Sequence, residues 1–540
     1  MLLRQLPRFE AAVACNYSGK LPTVVNRGHT YRAWASHQSS ILTAGTMANI
    51  GIDSPIEADT YYMGPGTLRI SRKVLHGKLR GRLLERMQAV LPEEKRGWVF
   101  LEGGKEPHLY SSDGEPLFRQ ESYMHYLFGV QEAGWFGAMC VKSGRTLLFM
   151  PRLPESYAVW MGRLKGPEEF RKKYGVDDVH YVDETSDVIR RLAPPCLHVL
   201  SGVNTDSGLA VQHPAAPHAE TPLEKDTLFD IITECRVVKI PEEAEIIRYA
   251  NRIGSQAHVA MMRFARPGVM EYQLEATFLH HCYLTGGCRS PMFTPIAASG
   301  TNAAILHYGH AGAPNDRQTA PGDLVLMDCG CEYYVYGSDI TTTWPVDGKF
   351  TTQQRVVYEA VLSAQREVEA AMKPGIAWPD MHELAYRRIL EGLMAAGVVT
   401  GGSVEELIAA DIGALFMPHG LGHFLGLNTH DVGGYPPGAS PRSAKPGFRS
   451  LRTARVLQPG MVITVEPGCY FNPALLLPAL EQDPAKAKYL VRVAVLSYMA
   501  VGGVRLEDNV LVTETGIERL THVPRSPEEV EAVMAGAPWP

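Results

Sequence analysis

Residues 417–436 read MPHGLGHFLGLNTHDVGGYP and place three histidines, His419, His423 and His430, among glycines and prolines. This composition suits neither a long helix nor an ordinary strand, because glycine and proline weaken both. The imidazole groups are therefore candidates for a functional role, and their partners have to come from elsewhere in the sequence.

Acidic residues interrupt four apolar segments of the C-terminal half. Asp328 follows LVLM, Asp339 follows YYVYGS, Glu466 follows MVITV, and Glu507 lies within VRLEDNVLV. Burying even one lone carboxylate carries a large desolvation penalty, so four need compensating positive charge. Only Arg505, two residues before Glu507, is obviously placed to supply some of it. A pair of divalent cations would neutralise the excess better.

The proposed donors are four carboxylates and one glycine-flanked imidazole, that of His423. This set favours manganese or magnesium over a structural zinc site, and no cysteine cluster competes for the assignment. Two such cations close together can activate a water molecule and polarise a carbonyl group at the same time. The pattern thus predicts hydrolase chemistry.

Secondary-structure signals are clearest in three helical segments. Pro241, followed by two glutamates, predicts a helix that ends before Pro267, and a capping pattern from Thr351 to Gln354 predicts a second helix. Residues 378–397 have a similar periodicity. Strand-like segments lie at 323–330, 333–346, 461–471 and 502–513. Outer helices and inner antiparallel strands predict an α+β domain, in which a turn after the first strand would bring the first two acids together.

Composition and charge exclude several classes of protein. The 540 residues are 45% apolar and 20% charged, with a formal net charge of -6 and no block rich in lysine or arginine. We therefore expect no nucleic-acid partner and no membrane association. The nine cysteines form no CxxC pair and are typical of reduced thiols, which predicts a cytoplasmic protein.

The first 58 residues form a separate N-terminal extension. Its first 50 residues contain five basic residues and one acid. An acid-poor start with arginines is typical of an organelle transit peptide, in which case the protein would be organellar. A disordered extension explains the composition equally well.

Five motifs together resemble the pita-bread metallopeptidases, the family type of aminopeptidase P and methionine aminopeptidase. The motifs are MDCG, YGSDITTTWP, MPHGLGHFLGLNTHDVGGYP, LRTARVLQPGMVITVEPG and GGVRLEDNVLVT. The resemblance is closest to the prolidases, or Xaa-Pro dipeptidases, for which LFRQESYMHYLFGV (117–130) and HYGHAGAPNDR (307–317) are also characteristic. It begins at about residue 60 and continues to the C-terminus.

This resemblance implies an α+β architecture of two domains after the extension 1–58. A smaller α/β domain, residues 59–236, would precede a C-terminal pita-bread catalytic domain, residues 237–540. It also implies a homodimer and a dinuclear metal centre, which we expect to hold manganese.

The matching motifs imply five metal ligands. Asp328 would bind the first cation, and Asp339 and Glu507 would bridge the two. His423 and Glu466 would complete the coordination of the second cation. Glu466 would also relay a proton between the attacking water and the leaving imino nitrogen.

The same resemblance implies residues that bind substrate. His307 and His430 match histidines that stabilise the charge developing on the scissile carbonyl oxygen. Arg452 would receive the C-terminal carboxylate of the substrate, which its planar guanidinium suits. His419 would shape the loop. Phe293 stands where the family more often has tyrosine, so one hydrogen bond near the metals would be missing unless the alignment is locally shifted.

The implied function is hydrolysis of dipeptides with proline or hydroxyproline at the C-terminal position. An X-Pro bond lacks an N–H group, so peptidases that require this donor cleave it poorly. The nearest alternative is an Xaa-Pro aminopeptidase that acts on longer peptides. A non-enzymatic binding protein with the same fold is a further alternative, against which the presence of all five ligands argues.

Overall fold

The computed structural model describes residues 59–211, 213–214, 220–309 and 315–540. The extension 1–58 and residues 310–314 of the motif that begins at His307 lie outside these ranges. The described residues all belong to one compact unit. The division into domains between residues 236 and 237 stays a prediction. Among the helices of the described ranges, none is both long and apolar enough to cross a membrane.

The N-terminal part of the described chain is built around a six-stranded sheet. The strands of this sheet are β3 (Trp98–Glu102), β4 (Phe136–Cys140), β5 (Thr146–Met150), β6 (Asp178–Tyr181), β7 (Leu197–His198) and β8 (Leu223–Glu224). Two further short strands, β1 (Thr60–Tyr61) and β2 (Ile70–Ser71), precede them in the chain. The helices of the N-terminal part are α1 (Arg72–Val90), α2 (Ser122–Phe128), α3 (Ala158–Met161), α4 (Pro167–Tyr174), α5 (Thr185–Leu192) and α6 (Leu228–Val237).

The order in this sheet is β6-β5-β4-β3-β7-β8, and β1 pairs with β2 separately. The pairs β3/β4 and β4/β5 are antiparallel, whereas β5/β6, β3/β7 and β7/β8 are parallel. Strands β3 and β5 are buried along almost their whole length. Such continuous apolar strands indicate a sheet that is covered on both faces.

The C-terminal part combines long helices with short antiparallel sheets. Its helices are α7 (Pro241–Phe264), α8 (Glu271–Gly286), α9 (Thr352–Ala371), α10 (Trp378–Ala395), α11 (Val404–Ala409), α12 (Gly413–Phe416), α13 (Pro473–Glu481), α14 (Pro484–Ala487), α15 (Arg492–Tyr498) and α16 (Pro527–Met534). Its strands are β9 (Ser290–Pro291), β10 (Ile296–Ser299), β11 (Leu324–Cys329), β12 (Cys331–Tyr333), β13 (Tyr336–Gly337), β14 (Ile340–Pro345), β15 (Val462–Val465), β16 (Gly468–Tyr470), β17 (Gly503–Arg505), β18 (Asp508–Val512) and β19 (Ile517–Arg519).

The three long helices expected from the sequence are present. Helix α7 starts at Pro241, and its apolar positions Ile246, Ala257 and Met261 are buried. Helix α9 has the expected capping box, in which the Thr351 hydroxyl accepts a hydrogen bond from the backbone N–H of Gln354 at 3.3 Å. Helix α10 covers most of residues 378–397. These helices bury one face each, as their amphipathic patterns predict.

Three of the four expected strand segments are interrupted at an acidic residue, whereas 323–330 forms β11 with Asp328 inside the strand. Asp339 lies between β13 and β14, Glu466 between β15 and β16, and Glu507 between β17 and β18. The segments 333–346, 461–471 and 502–513 were expected to be strand-like, and each contains two or more short strands with the acid between two of them. At Asp339 the physical reason is visible, because its backbone N–H donates to the Asn509 side-chain oxygen at 2.8 Å instead of to a neighbouring strand. These three carboxylates therefore come from breaks between strands.

Sheet register brings these breaks together. Strands β11 and β14 pair antiparallel, with Asp328 opposite Thr341, after a turn in which Tyr334 and Val335 have positive φ. An isolated bridge joins Thr341 to Glu507. Strands β15 and β18 pair so that the residues adjoining two of the acids, Val465 and Asp508, lie opposite one another. The acids predicted from separate segments therefore converge on one place.

Candidate metal centre

The central cluster consists of Asp339, His423 and Glu507, all of which are buried. One ligand atom from each lies within 4.8 Å of the other two. His423 Nε2 is 3.4 Å from Asp339 Oδ2 and 3.6 Å from Oε1 of Glu466. The cluster therefore joins one imidazole to three carboxylates.

The glycine-rich segment 417–436 positions His423 by pairing with β15. The His423 N–H donates to the Thr464 hydroxyl at 3.0 Å, and the Thr464 N–H donates to the His423 carbonyl oxygen at 2.9 Å. Gly422 lies so close to this strand that an added Cβ would be 2.0 Å from the Thr464 carbonyl oxygen. His423 Nδ1 lies 3.0 Å from the Phe424 carbonyl oxygen, which leaves Nε2 to face the carboxylates.

Asp328 joins the cluster through Arg505. A guanidinium nitrogen of Arg505 donates to Oδ2 of Asp328, and two others donate to the hydroxyls of Thr341 and Tyr470 at 3.1 and 2.9 Å. Thr341 in turn donates to Glu507 at 2.8 Å. Arg505 thus pairs with Asp328 rather than forming a simple pair with Glu507. The other oxygen of Asp328, Oδ1, is buried and has no hydrogen-bond partner among the described residues.

The carboxylates are crowded enough to resist ionisation together. Burial, with the negative charges of Asp339 and Glu466, raises the pKa of Asp328 to about 7 despite the opposing charge of Arg505. Burial and the neighbouring acids raise the pKa of Glu507 well above its ordinary value, and burial also raises the pKa of Glu466. A buried oxygen without a partner and several mutually repelling carboxylates fit a site for divalent cations, which prefer oxygen-rich ligation.

A cavity of about 780 Å³ opens onto this cluster. It is lined by all the residues expected from the sequence, namely His307, Asp328, Asp339, His423, His430, Arg452, Glu466, Glu507 and also Phe293 and His419. The His430 ring stands edge-on to the His423 ring, with 4.5 Å between the ring centroids. Burial, followed by the charges of His423, Arg452 and His307, lowers the pKa of His430 far below its ordinary value. The cavity is large enough for a small peptide.

His419 has the loop-shaping contacts expected of it. Its Nδ1 lies 2.8 Å from the Gly420 carbonyl oxygen, and its Nε2 lies 3.0 Å from the Tyr470 hydroxyl. Burial, followed by the charge of Arg505, lowers the pKa of His419 to about 3. His419 is therefore neutral and links the glycine-rich segment to β16 and to the arginine that holds Asp328.

Sequence reasoning missed Asp206 and Arg442, which line this cavity, and Tyr470, whose hydroxyl accepts a hydrogen bond from Arg505. Asp206 comes from the loop after β7, and its Oδ1 lies 3.2 Å from Nη2 of Arg442 and 3.9 Å from Nη1 of Arg452. No motif marks Asp206, because it belongs to the N-terminal part of the chain and reaches the cavity only through folding. Tyr470 lies two residues after the EPG motif and could have been suspected from that position.

Comparison with known proteins places these features in a family. Residues 76–199 match the family model for "Aminopeptidase P, N-terminal domain", and residues 245–514 match the model for "Metallopeptidase family M24". The chain is 49% identical to the Xaa-Pro dipeptidase of Homo sapiens over 88% of this chain and 96% of that protein. It is 38% identical to a probable Xaa-Pro aminopeptidase of Verticillium alfalfae over 82% of this chain and 93% of that protein.

Solved structures show the same fold. The zinc-substituted aminopeptidase P of E. coli in complex with product is 31% identical, with a TM-score of 0.69, and the match covers 87% of this chain and 100% of that chain. The aminopeptidase of Pseudomonas aeruginosa gives the same identity and TM-score, covering 86% and 98%. The expected α+β class, with a pita-bread domain after an N-terminal domain, is confirmed. The chain belongs to metallopeptidase family M24.

Proposed function

We propose that this protein is a dinuclear-metal Xaa-Pro dipeptidase that releases C-terminal proline or hydroxyproline. The observation that carries the proposal is the convergence of His423 with four acids, three of them buried and Glu466 partly buried, at a cavity that Arg452 also lines. The Xaa-Pro dipeptidase name of relatives that match almost their full length supports the substrate class.

Five side chains would hold the metal ions, namely Asp328, Asp339, His423, Glu466 and Glu507. The donor set of carboxylates and one imidazole favours manganese. When bound, two such cations would supply polarisation of the scissile carbonyl and activation of a water molecule. The orphaned Oδ1 of Asp328 and the repulsion among the carboxylates are the features of this chain that such cations would relieve.

His430 and His307 would stabilise the scissile carbonyl oxygen as negative charge develops on it. Because its pKa is held low, the His430 imidazole is neutral and can donate a hydrogen bond without adding a full charge. Glu466, whose pKa is raised, is suited to take up a proton on its carboxylate and pass it to the prolyl nitrogen. That nitrogen must gain a proton to leave as the imino group of free proline.

Arg452 would set the length of the substrate. Its side chain is partly exposed at the cavity, and its contact with Asp206 at 3.9 Å is too long to be a direct hydrogen bond. A substrate carboxylate can therefore form a bidentate pair with the guanidinium. Such a requirement selects dipeptides, because a longer peptide carries an amide at this position.

Aminopeptidase activity on longer Xaa-Pro peptides is the second candidate, supported by the names of other relatives and of the structural neighbours. Comparing hydrolysis of Gly-Pro, Gly-Pro-amide and Gly-Pro-Gly by the manganese-loaded protein separates the two. A dipeptidase cleaves Gly-Pro and loses most kcat/KM when the carboxylate is blocked or extended. Cleavage of the tripeptide at a rate equal to or above that of Gly-Pro would instead make the protein an aminopeptidase.

The protein is also proposed to be a homodimer in the cytoplasm. Exposed apolar side chains on helix α3 support dimerisation, since Val159, Trp160 and Met161 are 80%, 82% and 67% exposed. The eight cysteines among the described residues are free thiols, which suits a reducing compartment. Light scattering of the purified protein and fractionation of cells test these two statements.

A further inference from the structure

A second cavity, of about 450 Å³, is rich in arginine. It shares no lining residue with the substrate cavity. Four arginines line it, from α7, α9, β19 and the segment before α16: Arg252, Arg366, Arg519 and Arg525. None of them takes part in the function proposed above.

Two of these arginines are already neutralised by acids. Arg525 donates from Nε to Oδ1 of Asp508 at 3.2 Å and from Nη1 to the Thr341 carbonyl oxygen at 2.8 Å. Arg519 donates to both oxygens of Glu369, which is almost fully buried. These pairs connect β18 and β19 to neighbouring elements and account for both charges structurally.

The other two arginines have no acid within ion-pair distance among the described residues. Arg252 and Arg366 are exposed and form no ion pair with any residue that the structure describes. The Arg252 guanidinium lies over the Tyr249 ring, 5.0 Å from its centroid. Glu529 also lines the cavity; its Oε2 accepts the backbone N–H groups of Ser526 and Arg525 at 2.9 and 3.1 Å, and these hydrogen bonds together with the charge of Arg366 outweigh burial and lower its pKa. Two exposed guanidinium groups, those of Arg252 and Arg366, therefore line the cavity without a direct ion pair to any described residue.

We propose that this cavity binds a ligand that carries a phosphate group. Two guanidinium groups match the charge of a phosphate, which lies between one and two negative charges at neutral pH, and their planar forks suit its oxygens. The volume exceeds what a free phosphate needs, and the Trp539 indole, which donates to the His522 carbonyl oxygen at 3.1 Å, supplies an aromatic wall. The shared chemistry is the phosphate, either free or on a nucleotide.

Calorimetric titration of the metal-loaded protein with inorganic phosphate and with adenosine monophosphate tests the proposal. The test variant is Arg252→Gln/Arg366→Gln. The matched control is Arg86→Gln/Arg191→Gln, which removes two exposed arginines from α1 and α5. Gly-Pro hydrolysis in all three proteins checks that the substrate cavity is intact. The difference in probe affinity between the test variant and the control variant separates binding at the arginine-rich cavity from any binding at the metals.

The wild type and the control should bind at least one of the two probes with equal affinity, and the test variant should bind it at least about tenfold more weakly. Tighter binding of adenosine monophosphate than of inorganic phosphate would assign the cavity to nucleotides, and equal binding would assign it to free phosphate. The proposal is overturned if neither probe binds the wild type, if the test variant binds as the control does, or if malonate, a dicarboxylate, binds as tightly as phosphate.

Discussion

Replacing Asp431 with asparagine should destabilise the protein strongly, although Asp431 lies outside the proposed ligand set. Asp431 accepts hydrogen bonds from Arg236 at 2.6 Å and Lys239 at 3.1 Å, and all three side chains are at most 2% exposed. Two nitrogens of Arg236 have no hydrogen-bond partner among the described residues, so its charge depends on Asp431. Breaking a buried ion pair on one side costs about 3–5 kcal/mol. We expect Asp431→Asn to lower the free energy of unfolding by about that amount.

Urea unfolding of both proteins at equal metal concentration, followed by tryptophan fluorescence, measures this loss. The matched control is Asp187→Asn, since Asp187 pairs with Arg190 on the surface at a similar distance, 2.6 Å. That exposed pair should contribute about 1 kcal/mol or less. A loss for Asp431→Asn no larger than the loss for the control would refute the argument that burial makes this carboxylate indispensable.

The effect of Asp431 should also depend on pH. The charges of Arg236 and Lys239 outweigh burial and lower the pKa of Asp431. A depressed folded-state pKa contributes stability that is present above the unfolded-state value and is lost as pH falls through the folded-state value. The difference between wild type and Asp431→Asn should therefore be constant near neutral pH and shrink only in strong acid, and a difference that shrank already near pH 6 would contradict this assignment.

Three further changes have expected outcomes. Arg452→Met should raise KM for Gly-Pro at least about tenfold, because it removes a charged hydrogen bond, while changing Gly-Pro-amide hydrolysis little; equal loss on both substrates would contradict a carboxylate contact. Trp160→Asp should convert the dimer to a monomer in light scattering, and an unchanged mass would show that helix α3 lies outside the dimer interface. Metal-free wild type should gain thermal stability relative to metal-free Asp328→Asn as pH falls from about 8 to about 6, because the pKa of Asp328 is raised to about 7 in the folded state and protonation there favours folding. The comparison with this variant cancels the opposing contribution of the neutral histidines, and a difference that stays flat over this range would argue against crowded carboxylates.

Much of the site was predictable from the sequence because charge inside apolar segments is itself a signal. Asp328, Asp339, Glu466 and Glu507 stood out since each interrupts a run of buried side chains, and the structure places all four at one cavity with His423. Their roles as ligands stay predictions. The fold class followed from helix capping and periodicity, which are local properties.

What the sequence did not show depends on contacts between distant segments. Arg505 was expected to supply some of the positive charge that the four acids need, but only the folded strands show that its guanidinium lies on Asp328. Asp206 reaches the substrate cavity from a loop of the N-terminal part, and no periodicity or motif identifies such a residue. The strand breaks at the acids were also missed, because a side-chain amide such as that of Asn509 can replace a ladder partner without changing the local pattern.

The most direct test of the account is the metal content of gently purified protein, measured together with Gly-Pro hydrolysis for the wild type and Asp339→Asn. We expect two manganese ions per wild-type chain, activity that a chelator abolishes and manganese restores, and loss of both metal and activity in Asp339→Asn. Metal-free wild-type protein that cleaves Gly-Pro, or an Asp339→Asn variant that keeps its metal and its activity, would contradict the proposal that these four carboxylates and His423 bind catalytic cations.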